Sequence, residues 1–207
     1  MDYRRTYRSA AIAFADLVSR IPPARLDAPG LGEWTLRDLL GHTVSSALRQ
    51  VPTVLADRAP TLLVPGPEFY FALVRSASDE MVAAARKAST DDARVTGAAL
   101  GDQPATAVSG YIGQATAALA GAADDDVVAT PAGGMRVRDW LPTRTFELVV
   151  HGRDAATAAG VPIDLDPDTL AETAALAARV AVALGDGETV LGALTGRGTL
   201  PAAYSMI

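Results

Sequence analysis

Helical periodicity, interrupted by proline and glycine, is the feature that most restricts the fold of this chain. Residues 2–20 alternate apolar and polar side chains at the helical period. Ile21-Pro22-Pro23 ends that segment, because proline lacks an amide donor and clashes with the preceding turn. No segment of the sequence shows the sustained alternation of a half-buried strand. The sequence therefore predicts an all-α helical bundle, with small β content at most in the turns and the tail.

Capping and breaking residues predict the other helix boundaries. Thr35 is a good N-cap, with Asp38 completing a variant of the capping box, for a helix that runs to about Val51 and stops before Pro52. Further helices are predicted over 68–88, 103–122, from between Val137 and Pro142 to Gly160, 167–184 and 188–195. The segments predicted to be non-helical are a polar stretch at 91–102, a structured turn or short hairpin at 124–135, and a tail at 198–207.

Composition limits the classes of function. With 207 residues and 49% hydrophobic content, the chain can bury a sizeable core, and we expect a single domain over residues 1–207. A net charge of −6 without a basic cluster argues against a nucleic-acid partner. The absence of cysteine excludes disulfides, thiolate ligands and a cysteine nucleophile, so any thiol chemistry needs an external thiol. Without a signal peptide or a long apolar run, we expect no membrane partner and a cytoplasmic location.

The chain has only two histidines, His42 and His151, and both lie in helix-like segments. Glu147 precedes His151 by four residues, which places the two side chains one helical turn apart, with Cβ atoms about 5–6 Å apart. His42 could supply a third ligand from another helix. Two histidines and one carboxylate with open positions are typical of catalytic metal sites in zinc hydrolytic enzymes and non-haem iron oxygenases. The sequence therefore predicts a divalent metal centre at His42, Glu147 and His151.

Simpler interpretations exist for these residues. Glu147 and His151 could form only an intrahelical hydrogen-bonded or ion pair, and His42 could be an ordinary, partly exposed histidine. Zinc is the first expectation for the metal, although nickel, cobalt, iron and manganese accept the same ligands. Three strong ligand candidates favour an open, reactive site over a structural zinc site, which normally has four. Trp34 and Trp140 are predicted to be packing anchors.

Three other polar residues are weaker candidates for catalysis. Arg144, Glu147, His151 and Asp154 fall along one stripe of a helix that is otherwise mostly apolar, so the stripe faces a partner group or a cavity. Asp154 could orient a ligand imidazole, act as a base, or be a surface carboxylate. Arg144 could bind an anionic substrate or pair with Glu147. Asp38 is a further possible base.

Two segments of the sequence carry a resemblance to a known family. The first reads Glu33-Trp-Thr-Leu-Arg-Asp-Leu-Leu-Gly-His42, and the second reads Arg144-Thr-Phe-Glu-Leu-Val-Val-His-Gly-Arg-Asp154. In this order they resemble the mycothiol-dependent maleylpyruvate isomerase metal-binding domain, a branch of the DinB-like four-helix bundles. The segments at 129–135, 194–197 and 200–204 are also similar to family members, so the resemblance spans nearly the whole chain.

The resemblance implies a DinB-like four-helix bundle with additional short helices and little or no β structure. It implies that His42, Glu147 and His151 bind the metal, and that mycothiol is a possible cofactor. The function implied is a thiol-dependent isomerase or S-transferase that acts on a small electrophilic substrate, with a homodimer possible. The isomerase of this family carries a further C-terminal catalytic domain, which we expect this chain to lack. Alternative functions are a non-enzymatic metal-binding or metal-sensing bundle and a metal-dependent hydrolase.

Overall fold

The computed structural model describes residues 2–75 and 77–205, and it confirms the predicted all-α class. The α-helices are α1 Tyr3–Arg20, α2 Leu36–Val44, α3 Gln50–Ala56, α4 Pro67–Arg75, α5 Asp79–Ala99, α6 Pro104–Ala120, α7 Val137–Ala159, α8 Pro167–Ala183 and α9 Gly187–Leu194. A 3₁₀ turn covers Pro23–Arg25, and a π-helical turn covers Ser45–Arg49. The short strands form two antiparallel pairs, β1 Pro29–Leu31 with β2 Trp34–Thr35 and β3 Val127–Thr130 with β4 Gly133–Arg136.

Helix α7 is the central element of the bundle. It packs against α1, α2, α4 and α8, which explains why its sequence is apolar on most sides. Trp140 and Leu141 of α7 are fully buried, together with Phe14 and Leu17 of α1 and Leu40 of α2. Helix α5 packs on the opposite side of α2. Helices α2 and α7, which carry the two histidines, therefore lie side by side in the core of the molecule.

Helices α2 and α5 approach closely because glycine occupies the contact on both. A Cβ atom on Gly41 would lie 2.2 Å from the carbonyl oxygen of Ala93 and 2.4 Å from the amide nitrogen of Gly97. A Cβ atom on Gly97 would lie 2.6 Å from the carbonyl oxygen of Arg37. Since both obstacles are backbone, neither could move without moving a helix. The close contact brings side chains of α5 to the face of α2 that carries His42.

The expected end of the second helix near Val51 is wrong. The chain continues from α2 through the π turn at Ser45–Arg49 into α3, which ends at Ala56. Pro52 therefore lies inside a continuous helical segment. It occupies the first turn of α3, where a missing amide proton is tolerated. Single π turns of this kind are frequent at functional sites.

Side chains from other helices satisfy two carbonyl groups of the π turn. The Nη1 group of Arg144 donates to the carbonyl oxygen of Ser46 at 2.7 Å, and the hydroxyl of Tyr7 donates to that of Ala47 at 2.8 Å. Because Pro52 has no amide proton, the preceding turn lacks one backbone donor. Arg144 of α7 and Tyr7 of α1 supply donors at this point, and these hydrogen bonds hold the irregular turn in place.

The predicted boundary between the third and fourth helices is also wrong. The segment 68–88 divides into α4 and α5, and Ser78 caps α5 by accepting from the amide of Met81. The polar stretch at 91–102 is not a separator, because α5 continues to Ala99. Most polar residues of this stretch are exposed, and its buried positions recur at helical spacing: Ala93, Thr96, Gly97 and Leu100.

The remaining boundary predictions are confirmed within the described residues, and Met206 and Ile207 of the predicted tail lie outside them. The turn at 124–135 contains the β3–β4 hairpin, and Thr35 and Asp38 form a complete capping box. Helix α7 begins at Val137 and ends at Gly160, whose φ of +69° favours glycine. Of the described residues, none belongs to a helix that combines the length and apolar content needed to cross a membrane.

Candidate metal centre

The structure brings His42, Glu147 and His151 together at the contact between α2 and α7. Their side chains are only 13–15% exposed. The Nε2 atoms of His42 and His151 lie 3.7 Å and 3.3 Å from Oε2 of Glu147, and one ligand atom from each residue lies within 4.8 Å of the others. The two imidazole rings meet edge to face, with centroids 4.7 Å apart. Two ring nitrogens and a carboxylate oxygen thus converge on one point.

The distances between these atoms fit a shared cation. Ligand atoms about 2.0–2.2 Å from a tetrahedral zinc lie roughly 3.3–3.6 Å from one another. A direct charge-assisted hydrogen bond between nitrogen and oxygen is shorter, about 2.7–2.9 Å. The observed 3.3 Å and 3.7 Å are closer to the first arrangement. The donor set and its spacing therefore suit a divalent cation, and cation binding by these residues stays a prediction that the geometry supports.

Neighbouring side chains orient both imidazoles. Nδ1 of His151 lies 3.2 Å from Oδ2 of Asp154, so this carboxylate occupies the orienting position that the sequence analysis considered for it. Nδ1 of His42 lies 3.2 Å from the hydroxyl oxygen of Ser89 on α5. The Trp34 ring packs on the His42 ring, with centroids 4.8 Å apart. Contacts at Nδ1 leave both Nε2 atoms directed towards Glu147, as ligand histidines require.

The electrostatic setting favours an ionised carboxylate. Burial raises the pKa of Glu147, but the adjacent imidazoles of His151 and His42 and the charge of Arg144 outweigh it, so the pKa lies well below its usual range. Burial lowers the pKa of His151, whereas Asp154 and Glu147 raise it more, to about 9. Without a cation His151 is therefore protonated near neutral pH. A cation that binds its Nε2 atom must displace a proton.

The other two catalytic candidates, Arg144 and Asp38, have contacts within the protein. Arg144 is 2% exposed and donates from Nη1 to the Ser46 carbonyl and to Oε1 of Gln50, both at 2.7 Å. It forms no ion pair within the described residues, so it does not pair with Glu147, and anion binding by Arg144 stays a prediction. Asp38 accepts from the amide of Thr35 at 3.1 Å as part of the capping box. These contacts stabilise the π turn and the start of α2, and a catalytic part for either residue stays a prediction.

A cavity of about 480 Å³ opens beside His42, between the π turn and α5. Its lining residues are all polar: His42, Ser45, Ser46, Arg49, Gln50, Thr53, Ser89 and Asp92. Only His42 among them was predicted from the sequence. Ser89 follows the expected end of one helix, and Asp92 lies in the stretch expected to be non-helical. The other lining residues belong to the π turn or follow it in α3, so their direction depends on an irregular turn that the helical period does not predict.

Comparison with known proteins identifies the family of this chain. The family model described as the mycothiol maleylpyruvate isomerase N-terminal domain matches residues 7–156, which include His42, Glu147 and His151. The similarity noted at 194–204 lies beyond this match and stays a prediction. Neither the comparison with curated proteins nor that with solved structures found a match. Because the family match covers most of the chain and both segments of the candidate centre, this protein belongs to the mycothiol maleylpyruvate isomerase N-terminal domain family.

Proposed function

We propose that this protein binds a divalent cation, zinc as the first expectation, at His42, Glu147 and His151, and uses it to activate an external thiol. The observation that carries the proposal is the convergence of two Nε2 atoms and a buried carboxylate oxygen from two helices. Three protein ligands leave coordination positions open, which is typical of catalytic rather than structural zinc sites.

The residues of the chain have distinct parts in this proposal. A bound divalent cation would stabilise the anionic form of a thiol or a water molecule. Glu147 offsets part of the positive charge, and its depressed pKa keeps it available as a ligand. Asp154 accepts the Nδ1 proton of His151 and so directs Nε2 towards the centre. Trp34 covers one face of the His42 ring and excludes water there.

The thiol comes from outside the chain, which has no cysteine. Mycothiol is the candidate because the family is described by it. A thiol held there would supply a nucleophile for a small electrophile: reversible addition to a double bond would permit cis–trans isomerisation, and displacement of a leaving group would give S-transfer. The polar cavity beside His42 provides the approach. A cytoplasmic location and a homodimeric state belong to the same proposal.

The first test measures metal content and thiol dependence together. Protein purified without an affinity tag or chelator is analysed by elemental mass spectrometry, alongside His42→Ala and His151→Ala. Near-stoichiometric metal in the wild type, lost in both variants, is the expected result. Circular dichroism verifies that the variants remain helical. Turnover of small electrophiles is then compared with and without mycothiol.

Each outcome separates one function from another. Metal with mycothiol-dependent turnover supports the proposal. Metal with hydrolysis that needs no thiol identifies a hydrolase, and metal without any turnover in such a screen favours a metal-binding or sensing bundle. A wild-type protein that takes up none of zinc, nickel, cobalt, iron or manganese after reconstitution would overturn the metal centre itself.

A further inference from the structure

The two histidines of the candidate centre have chemically different partners at Nδ1. His151 faces the carboxylate of Asp154, and His42 faces the hydroxyl of Ser89, both at 3.2 Å. A carboxylate only accepts, so it always favours a proton on Nδ1 of His151. A hydroxyl can accept or donate. The partner of His42 can therefore serve either tautomer of the ring.

Helix α5 supports His42 through two adjacent residues. Ser89 contacts Nδ1 directly. The hydroxyl of Thr90 accepts a hydrogen bond from Nε1 of Trp34 at 3.3 Å, and the Trp34 ring packs on the imidazole. Ser89 thus contacts the edge of the His42 ring, and Thr90 supports the face of the ring through the Trp34 side chain. Both residues lie on α5, whereas Asp154 lies on α7, so the support of His42 is separate from that of His151.

The α2–α5 contact gives Ser89 a defined position. Backbone groups of α5 occupy the space that a Cβ atom on Gly41 would need, one residue before His42. Backbone contact sets the separation of the two helices at this level. Contact through long side chains would fix that separation less precisely. A short side chain such as serine can reach the imidazole only when the helices are this close.

We propose that Ser89 is the positioning residue of His42: its hydroxyl accepts the Nδ1 proton when Nε2 takes a cation, and donates to Nδ1 when Nε2 carries the proton. This inference deepens the proposed function and rests on the same three-residue centre. Ser89 contacts Nδ1 of His42 and is not one of the three residues of the centre. It acts through the orientation of the His42 ring.

Cation affinity measures this role directly. Zinc affinity is determined by competition with a chromophoric chelator for the wild type, Ser89→Ala, Ser89→Thr and Ser109→Ala. Ser89→Ala is expected to bind zinc about 10–100-fold more weakly, the usual effect of losing a group that orients a ligand. Ser89→Thr keeps the hydroxyl and is expected to restore most of the affinity. Ser109 is the matched control, since it is exposed and, in the part of the chain that the structure describes, its hydroxyl bonds only locally, to the Ala105 carbonyl of α6.

A spectroscopic measurement excludes a merely structural effect. The visible absorption of the cobalt-substituted protein reports ligand geometry, so Ser89→Ala should change the band and Ser109→Ala should leave it unaltered. Wild-type affinity and an unchanged band in Ser89→Ala would overturn the proposal. A loss of affinity that Ser89→Thr fails to restore would also overturn it.

A metal-free measurement separates this inference from the proposed function. The ¹⁵N chemical shifts of the His42 ring are recorded in the presence of a chelator. They are expected to change in Ser89→Ala and to stay constant in Ser109→Ala. A wild type that binds no cation, but shows this change, refutes the metal-dependent function and leaves the contact between Ser89 and His42 standing. Unchanged shifts in Ser89→Ala refute the contact whatever the metal content.

Discussion

Two carboxylates in this protein, Glu147 and Asp166, both have a lowered pKa, but for different reasons. Asp166 caps α8 and accepts from the amides of Asp168 and Thr169 and from the hydroxyls of Ser9 and Thr169. These bonds lower its pKa to about 2. Glu147 faces two imidazoles at distances longer than good hydrogen bonds. The first group has its hydrogen bonds within the protein, whereas the longer contacts of the second leave room for the cation that we propose.

This contrast separates a structural polar cluster from the proposed metal centre. A lowered pKa alone does not distinguish them, because donors of any kind stabilise a carboxylate. The number and length of their contacts distinguish the two carboxylates. Asp166 links α1 to α8 through short bonds to fixed groups. Glu147 has a cavity beside its His42 partner.

Replacing each carboxylate by its neutral amide tests this difference and has the largest expected effect on zinc affinity. Glu147→Gln is expected to weaken zinc binding by more than about a hundredfold, because losing a ligand exceeds the effect of losing an orienting group. Asp166→Asn is expected to leave zinc affinity unchanged. Chelator competition on both variants measures this. Equal affinities for Glu147→Gln and the wild type would show that the carboxylate is not a ligand.

Asp154→Asn tests a residue that contacts one of the proposed ligands, His151, and is not itself a proposed ligand. The amide cannot replace the carboxylate as an anionic acceptor for the Nδ1 proton of His151, and zinc affinity is expected to fall about 10–100-fold. Asp164→Asn is the matched control, since the side chain of Asp164 is 87% exposed. Titration of both variants with zinc gives the comparison. If Asp154→Asn bound zinc as tightly as Asp164→Asn, the orienting role of Asp154 would be wrong.

The smallest effect is the pH dependence that Asp166 contributes to stability. Its pKa is about 2 in the folded protein, below the ordinary value of 3.8. A lowered folded pKa contributes stability that is present above the unfolded value and lost as pH falls through the folded value. Asparagine is about as good an N-cap as aspartate, so Asp166→Asn mainly removes the charge. The difference in unfolding free energy between wild type and variant should therefore shrink as pH falls from about 5 to about 2.

Denaturant titrations of the metal-free proteins at several pH values measure this difference. A chelator keeps the cluster at Glu147 from contributing through bound metal. Asp168→Asn is a useful control, because its exposed carboxylate lies in the same helix turn. A difference that stays constant over this pH range would show that the hydroxyl and amide contacts of Asp166 do not lower its pKa.

The sequence predicted most helices and the three residues that converge. Helical periodicity located α1, α6, α7 and α8, because their buried faces are continuous. The spacing of Glu147 and His151 along one helix was sufficient to place them side by side. The proximity of His42 to these two residues depends on contact between two helices. The two segments that resemble the family supported that prediction.

The surroundings of the centre could not be predicted in the same way. Pro52 is a strong stop signal, and nothing local in the sequence shows that Arg144 and Tyr7 satisfy the π turn before it. Ser89 lies on α5, and the polar stretch at 91–102 that follows it was interpreted as a break between helices. Its contact with His42 depends on the separation of two helices, which is a tertiary property.

The π turn has a consequence for the length of the chain. The helical segment from Leu36 to Ala56 contains two phases of side-chain direction, one before and one after the turn, and each added residue rotates the later side chains by about 100°. A change in the number of residues between His42 and Pro52 that the turn did not absorb would rotate Gln50 and Thr53 relative to the cavity without altering their identity. Residue number in this segment is thus as much a part of the site as residue type, and two relatives can share every side chain here and still differ in the shape they present.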